Sequence, residues 1–292
     1  MKRRIISTAI ILFSLHLLIF AQSEKGLKVF ISVDMEGITG VVNWEDVDRN
    51  GKDYDYFRKM MTEDVNSAIE GALEAGASEI VVRDAHATAR NIVIDLLNKN
   101  AKLLRDWSGD FKSMVEGIDE KFDAVIFIGY HAKAGTPNAI LDHTMSSARI
   151  ADVSLNGISL PEAGINALIA GLYNVPVVFV AGDLAICSQV KELFGEIQTF
   201  AVKEAIGNSA MCLHPDITHQ KIHDGVKYAL QNIGKYKPYK INSPYTLVLK
   251  LKNEESANDR QYYPGVERTG GYELTFKHDD LETVLRAMRS MY

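Results

Sequence analysis

Leu27-Lys28-Val29-Phe30-Ile31-Ser32-Val33-Asp34-Met35-Glu36-Gly37 is a largely apolar run that ends abruptly in two carboxylates, one residue apart, followed by a glycine. A short apolar run of this kind reads as a buried strand over Leu27 to Val33. Side chains at i and i+2 of a strand share a face roughly 6 to 7 Å apart, so Asp34 and Glu36 can converge on one cation. Taken alone, the pair fits a solvated loop just as well, with Gly37 letting the backbone turn away.

Two further apolar runs end in histidine: Glu79 to Val82 leads through Arg83-Asp84-Ala85 to His86, and Asp123 to Ile128 leads through Gly129-Tyr130 to His131. Between the first two strands, Tyr54 to Glu74 carries Phe57, Met60, Met61, Val65, Ala68, Ile69, Ala72 and Leu73 at helical spacing, with Gly76 where that helix stops. Ala101 to Leu104 reads as a short strand. An Asn156-Gly157 hairpin signal follows, then a helix opened by Pro161, a strand from Pro176 to Ala181, a helix from Asp183 to Phe194 and a strand from Ile197 to Val202. This alternation predicts an α/β fold, a mostly parallel sheet flanked by helices. Ligands of such sheets bind beyond the carboxyl ends of the strands, which brings Asp34, Glu36, His86 and His131 to one rim.

A long helix is expected over His214 to Asn232, then strands over Tyr245 to Lys252 and Tyr272 to Lys277 and a closing helix capped by Asp279 or Asp280. The expected division is an α/β metal-binding catalytic domain over 22–232 and a smaller C-terminal α+β domain over 233–292, joined near Ile233 to Pro244.

The first residues read differently. Met1-Lys2-Arg3-Arg4 is a basic stretch ahead of the apolar run Ile5 to Phe20, the pattern of a secretory signal peptide cut after Ala21. The expectation is an exported protein, periplasmic or extracellular, or a membrane-anchored one if the segment stays uncleaved. Removal of 1–21 takes away three positive charges and no acid, moving the formal charge from −6 to −9. Nucleic acid is therefore not an expected partner. With only Cys187 and Cys212, the chain is neither a disulfide scaffold nor a cysteine-rich zinc module; the two cysteines either pair or stay as free thiols.

Zinc accepts histidine and carboxylate together. Glu162, in the first turn of the helix opened by Pro161, joins Asp34, Glu36, His86 and His131 as a candidate ligand. Five ligands of mixed type are too many for one tetrahedral zinc with an open position and suit two metals bridged by a shared carboxylate. Asp84 is a candidate to orient a ligand or to take a substrate ammonium. His219 and His223 are spaced as in HExxH metalloproteases, but Gln220 stands where the general base is needed, which favours an ordinary helical face.

Val33-Asp34-Met35-Glu36-Gly37, Arg83-Asp84-Ala85-His86, Met114-Val115-Glu116-Gly117, Gly129-Tyr130-His131-Ala132, Asp142-His143-Thr144-Met145 and Glu162-Ala163-Gly164-Ile165-Asn166-Ala167 occur in that order. Together with Asn208-Ser209-Ala210 and Pro264-Gly265, they closely resemble the DppA-type D-aminopeptidases, a family of zinc metallopeptidases. The resemblance implies hydrolysis of the N-terminal amide bond of short D-amino-acid peptides such as D-Ala-D-Ala by a metal-bridged water. It implies two zinc ions per subunit on Asp34, Glu36, His86, His131 and Glu162, with Asp34 bridging, His143 as the catalytic histidine, and a ring-shaped homodecamer. Pro161 and Ala163 depart from the Gly-Glu-Leu-Gly form of the family. On the rim residues alone, another metal-dependent amidase or phosphoesterase would look the same, and an exported peptide-binding protein would differ by lacking turnover.

Overall fold

Val29, Ile31 and Val33 belong to one apolar core and Phe30 to another, so the first strand is covered on both sides in the computed structural model, which describes residues 26–292. The expected leader over 1–21 lies outside the described residues.

The chain runs through β1 (Leu27–Val33), α1 (Trp44–Val47), α2 (Tyr54–Glu74), β2 (Ala77–Asp84), β3 (Ala101–Leu104) and β4 (Ala124–Tyr130). It continues with β5 (Ile150–Leu155), β6 (Ile158–Ser159), α3 (Glu162–Leu172), β7 (Val177–Asp183), α4 (Leu184–Phe194), β8 (Gln198–Ile206) and β9 (Ser209–Cys212). The last elements are α5 (Pro215–Gln231), β10 (Tyr245–Leu251), α6 (Glu254–Arg260), β11 (Val266–Gly270), β12 (Glu273–His278) and α7 (Leu281–Ser290).

The main sheet has the order β3-β2-β1-β4-β7-β8-β9, parallel except for the antiparallel edge strand β9. The expected α/β class is therefore what the molecule adopts. β4 and β7 are buried along their whole length, as strands covered by helices on both faces must be. On one side Ile31 and Val33 pack with Met61, Val65 and Ile69 of α2 and Ile222 and Val226 of α5. On the other, Phe30 and Phe127 pack with Leu168 of α3.

That second core does not stop at the main sheet. Val153, Leu247, Leu249 and Leu285 belong to the same cluster as Phe30 and Phe127. The smaller sheet, antiparallel in the order β11-β12-β10-β5-β6, takes β5 and β6 from the middle of the chain. A division at 232/233 therefore does not coincide with the division between sheets: Leu247 pairs with Leu155 and Leu249 with Val153 across it. The strand β1 lies between β2 and β4: the chain runs from β1 out to β2 and β3 on one side and returns to β4 on the other. The crevice this opens lies beyond the carboxyl ends of β1 and β4.

Candidate metal centre

The strand β1 ends at Val33, yet the chain keeps tracking β4: Asp34 N donates to Ile128 O at 2.9 Å and Gly37 N to Gly129 O at 2.7 Å. A Cβ on Gly37 would lie 1.9 Å from Tyr130 O, and one on Gly129, at φ +72°, would lie 2.2 Å from Asp34 O. Gly37 thus serves close approach between two backbones, a stricter demand than letting the chain turn away. This approach brings Asp34 beside His131. Because β1 has already ended, it is the loop and not the strand pleat that sets Asp34 and Glu36 together.

His86 sits two residues past β2, in a loop fastened by Asp84. The Asp84 carboxylate accepts from Asn91 N (2.5 Å), Ile92 N (2.8 Å) and Asn91 Nδ2 (2.8 Å), and Asn91 Nδ2 also reaches His86 O at 2.7 Å. Fully buried and absent from the cavity lining, Asp84 holds the His86 loop and is not exposed to a substrate ammonium. Glu162 opens α3, where its charge meets the positive end of the helix, and its Oε1 accepts from Met145 N at 2.6 Å. His143 stacks on His131 with centroids 4.1 Å apart, and Trp44 packs against it edge-on at 5.6 Å. Positive φ at Ala87 and Ala89 near His86, and at Leu141 and Met145 near His143, shows both loops held in backbone conformations that non-glycine residues rarely adopt.

All six predicted site residues meet at this rim. His86 Nδ1 lies 3.2 Å from Asp34 Oδ1 and 3.0 Å from Glu36 Oε2. His131 Nε2 lies 3.4 Å from Asp34 Oδ2 and 3.5 Å from Glu162 Oε2, and His143 Nε2 lies 3.5 Å from Glu162 Oε1. The two oxygens of Asp34 therefore face two different imidazoles. In each ring the opposite nitrogen is next to a carbonyl: His86 Nε2 at Val47 O (3.1 Å), His131 Nδ1 at Ala132 O (2.9 Å) and His143 Nδ1 at Leu141 O (2.9 Å). A carbonyl only accepts, so it fixes the N–H on that nitrogen and leaves the other as a lone pair in the neutral ring. Those lone pairs point at carboxylates, acceptor against acceptor. His131 Nε2 is moreover buried without a hydrogen-bond partner. Only added positive charge, a proton on each ring or a metal cation, makes this arrangement favourable.

The electrostatics agree. Burial works to lower the pKa of His86 and of His131, yet the carboxylates of Glu36 and Asp34 around the first, and of Glu162 and Asp34 around the second, hold both imidazoles well above their usual range. Asp34 shows the converse: burial would raise it, but His131 and His86 bring it down to about 2. Glu162 is likewise lowered against burial by His131 and His143. Donor atoms within 4.8 Å of one another form two groups, Asp34-Glu36-His131 and His131-His143-Glu162, so the donor set and spacing fit bound metal.

Lys203 lies on β8, far from the rim in sequence. It is buried, and its Nζ donates to Glu36 O (2.5 Å), Ile38 O (3.0 Å) and Val41 O (2.5 Å), the loop that carries Glu36. Burial pushes its pKa down to about 8. Asp183 caps α4 through Ile186 N at 2.8 Å and accepts from Ile140 N at 3.2 Å. The His219/His223 pair lies elsewhere, against Asp64 at 3.2 Å and Glu74 at 3.3 Å, and Cys187 and Cys212 are free thiols.

The rim opens on a cavity of about 460 Å³, the size of a small-molecule site, lined also by Trp44, Trp107, Arg289 and Tyr292.

The peptidase M55 family model, described as D-aminopeptidase, matches residues 27–290. A D-aminopeptidase from Bacillus subtilis (strain 168) is 36% identical over 269 residues, covering 91% of this chain and 96% of the relative. A solved structure of a Zn-dependent D-aminopeptidase, DppA from Bacillus subtilis, described as a self-compartmentalizing protease, superposes with a TM-score of 0.87 at 34% identity, covering 91% of this chain and 96% of that one.

Proposed function

This chain belongs to the peptidase M55 family of D-aminopeptidases, and from that premise we propose that it removes the N-terminal residue of short D-amino-acid peptides such as D-Ala-D-Ala, using two zinc ions per subunit. The observation that carries the reading is Asp34, whose two oxygens face His86 and His131 separately while the lone pairs of both rings aim inward. Asp34, Glu36 and His86 would hold one ion, and Asp34, His131 and Glu162 the other.

Zinc supplies Lewis acidity, which polarises a carbonyl and lowers the pKa of water to roughly 7. The remaining work falls to side chains. His143 lines the cavity with Nε2 as its free nitrogen, since Leu141 O fixes the proton on Nδ1. The lone pair of that nitrogen is positioned to take the proton released by the attacking water and then pass it to the leaving amine, and Trp44 keeps the ring in place.

A second role for His143 comes from its place in the donor group with His131 and Glu162, which would make it a ligand. Zinc content of His143→Ala separates the two: unchanged for a proton donor, reduced for a ligand.

We also read the protein as exported, on the basic-then-apolar residues 1–21, and as a ring-shaped homodecamer. Support for self-association comes from the self-compartmentalizing relative and from exposed Ile206 and Met211 on the β8–β9 hairpin, with Leu213 and Ile217 beyond it. The test of the activity is zinc analysis of purified protein with hydrolysis of D-Ala-D-Ala and L-Ala-L-Ala. Chelator-sensitive turnover of the D-peptide is expected; turnover without metal, or of the L-peptide alone, contradicts the reading.

A further inference from the structure

The cavity beside the carboxylates carries one guanidinium. Apart from the imidazoles, its charged lining is acidic, Asp34, Glu36, Asp48 and Glu162, with Arg289 as the sole exception among the described residues. Arg289 projects from the last turn of α7 and is only partly buried. Arg286, one turn earlier, is committed: its guanidinium bonds Glu282 at 3.0 and 2.7 Å and lies over Phe111 at 4.4 Å. Arg289 has no such carboxylate among the described residues. It lies 5.2 Å from the ring centroid of Tyr292, itself a lining residue whose hydroxyl donates to Met145 Sδ at 3.2 Å. A cation laid on an anchored aromatic face at the edge of an open cavity, with no carboxylate among the described residues pairing with it, can turn its planar fork to an anion.

We propose that Arg289 binds the C-terminal carboxylate of the peptide, so that this enzyme selects very short peptides with both termini free. The inference rests on the aminopeptidase reading above. A dipeptide with both ends free matches this lining: its amino end lies on the side of the metal-holding rim and Asp48, the one lining carboxylate not assigned to metal, and its carboxylate goes to the guanidinium, with the scissile amide between. The cavity, about 460 Å³, is of a size to seat a small ligand such as a dipeptide. A bidentate guanidinium–carboxylate pair is among the strong hydrogen-bonding arrangements, and its loss should read as about a ten- to hundredfold change.

The test compares D-Ala-D-Ala with D-Ala-D-alaninamide, which differs only in the charge at the far end. Wild-type enzyme should favour the free carboxylate about ten- to hundredfold in kcat/KM, mostly through KM. In Arg289→Ala that ratio should fall towards one, and Arg289→Lys should restore part of it. Arg286→Ala controls for α7 and should keep the wild-type ratio. An unchanged ratio in Arg289→Ala, or equal losses on both substrates, overturns the proposal. Calorimetric titration of both ligands into chelator-treated protein reads the same carboxylate preference without turnover. Failure of the enzyme to hydrolyse either D-substrate would thus count against the aminopeptidase reading alone, while equal affinity of wild type for both ligands would count against Arg289.

Discussion

Lys203→Met keeps the length of a buried side chain and removes its charge and its three hydrogen bonds to the carbonyls of Glu36, Ile38 and Val41. Each buried carbonyl left without a donor costs about 1–3 kcal/mol, so three set an upper range of about 3–9 kcal/mol. Against this, burial lowers the Lys203 pKa from 10.5 to about 8. Keeping the ammonium charged at neutral pH therefore costs about 3 kcal/mol, at 1.36 kcal/mol per pKa unit, which methionine relieves. The carbonyl term is the larger, and a net destabilisation of about 1–5 kcal/mol is expected, with the loop carrying Glu36 loosened and zinc held less tightly. The pH dependence carries its own sign. The folded-state pKa is depressed, so between pH 8 and 10.5 the unfolded chain binds more protons and the Lys203 contribution to stability rises with pH. Urea unfolding across that window, with zinc titration of both proteins, checks this. Wild type should show that rise and the variant should lack it. A variant as stable as wild type at pH 7, with undiminished zinc affinity, would refute the reasoning.

His143→Ala should keep zinc near the wild-type content while turnover falls about 10²–10⁴-fold, the usual range for a proton-transfer group, measured by metal analysis beside D-Ala-D-Ala hydrolysis. Met211→Glu puts a charge on an exposed apolar strand edge, and analytical ultracentrifugation should show smaller assemblies than wild type with per-subunit zinc unchanged.

Where a segment's surroundings are the same along its whole length, its sequence shows it. The strands β4 and β7 are buried from end to end, and α2 repeats its apolar stripe over five turns before Gly76 stops it, so these elements are where the pattern puts them. By contrast β9 and β11 are short edge strands with mixed exposure, and α6 is seven residues long, too little for either period to register. The hairpin at Asn156-Gly157 is local and legible, but its pairing with β10 joins residues some ninety positions apart, as in Asn156 N to Thr246 O, and places it in the smaller sheet. The site divides in the same way. Asp34, Glu36, His86 and His131 follow strand ends, which topology gathers without further information. Arg289 on α7 and Lys203 on β8 reach the site only through tertiary packing. Asp84 shows how adjacency misleads: two residues from His86 it faces away from the cavity, holding the loop through Asn91.

The account depends most on one carboxylate shared between two cations. Zinc stoichiometry of Asp34→Asn beside wild type, after dialysis against a fixed weak chelator, tests it most directly. The variant preserves shape and removes the charge that both His86 and His131 face. Two zinc ions per subunit in wild type and fewer than one in the variant are expected, with both ions lost together. A variant that keeps one ion at full occupancy, or a wild-type enzyme that binds a single zinc, would contradict it.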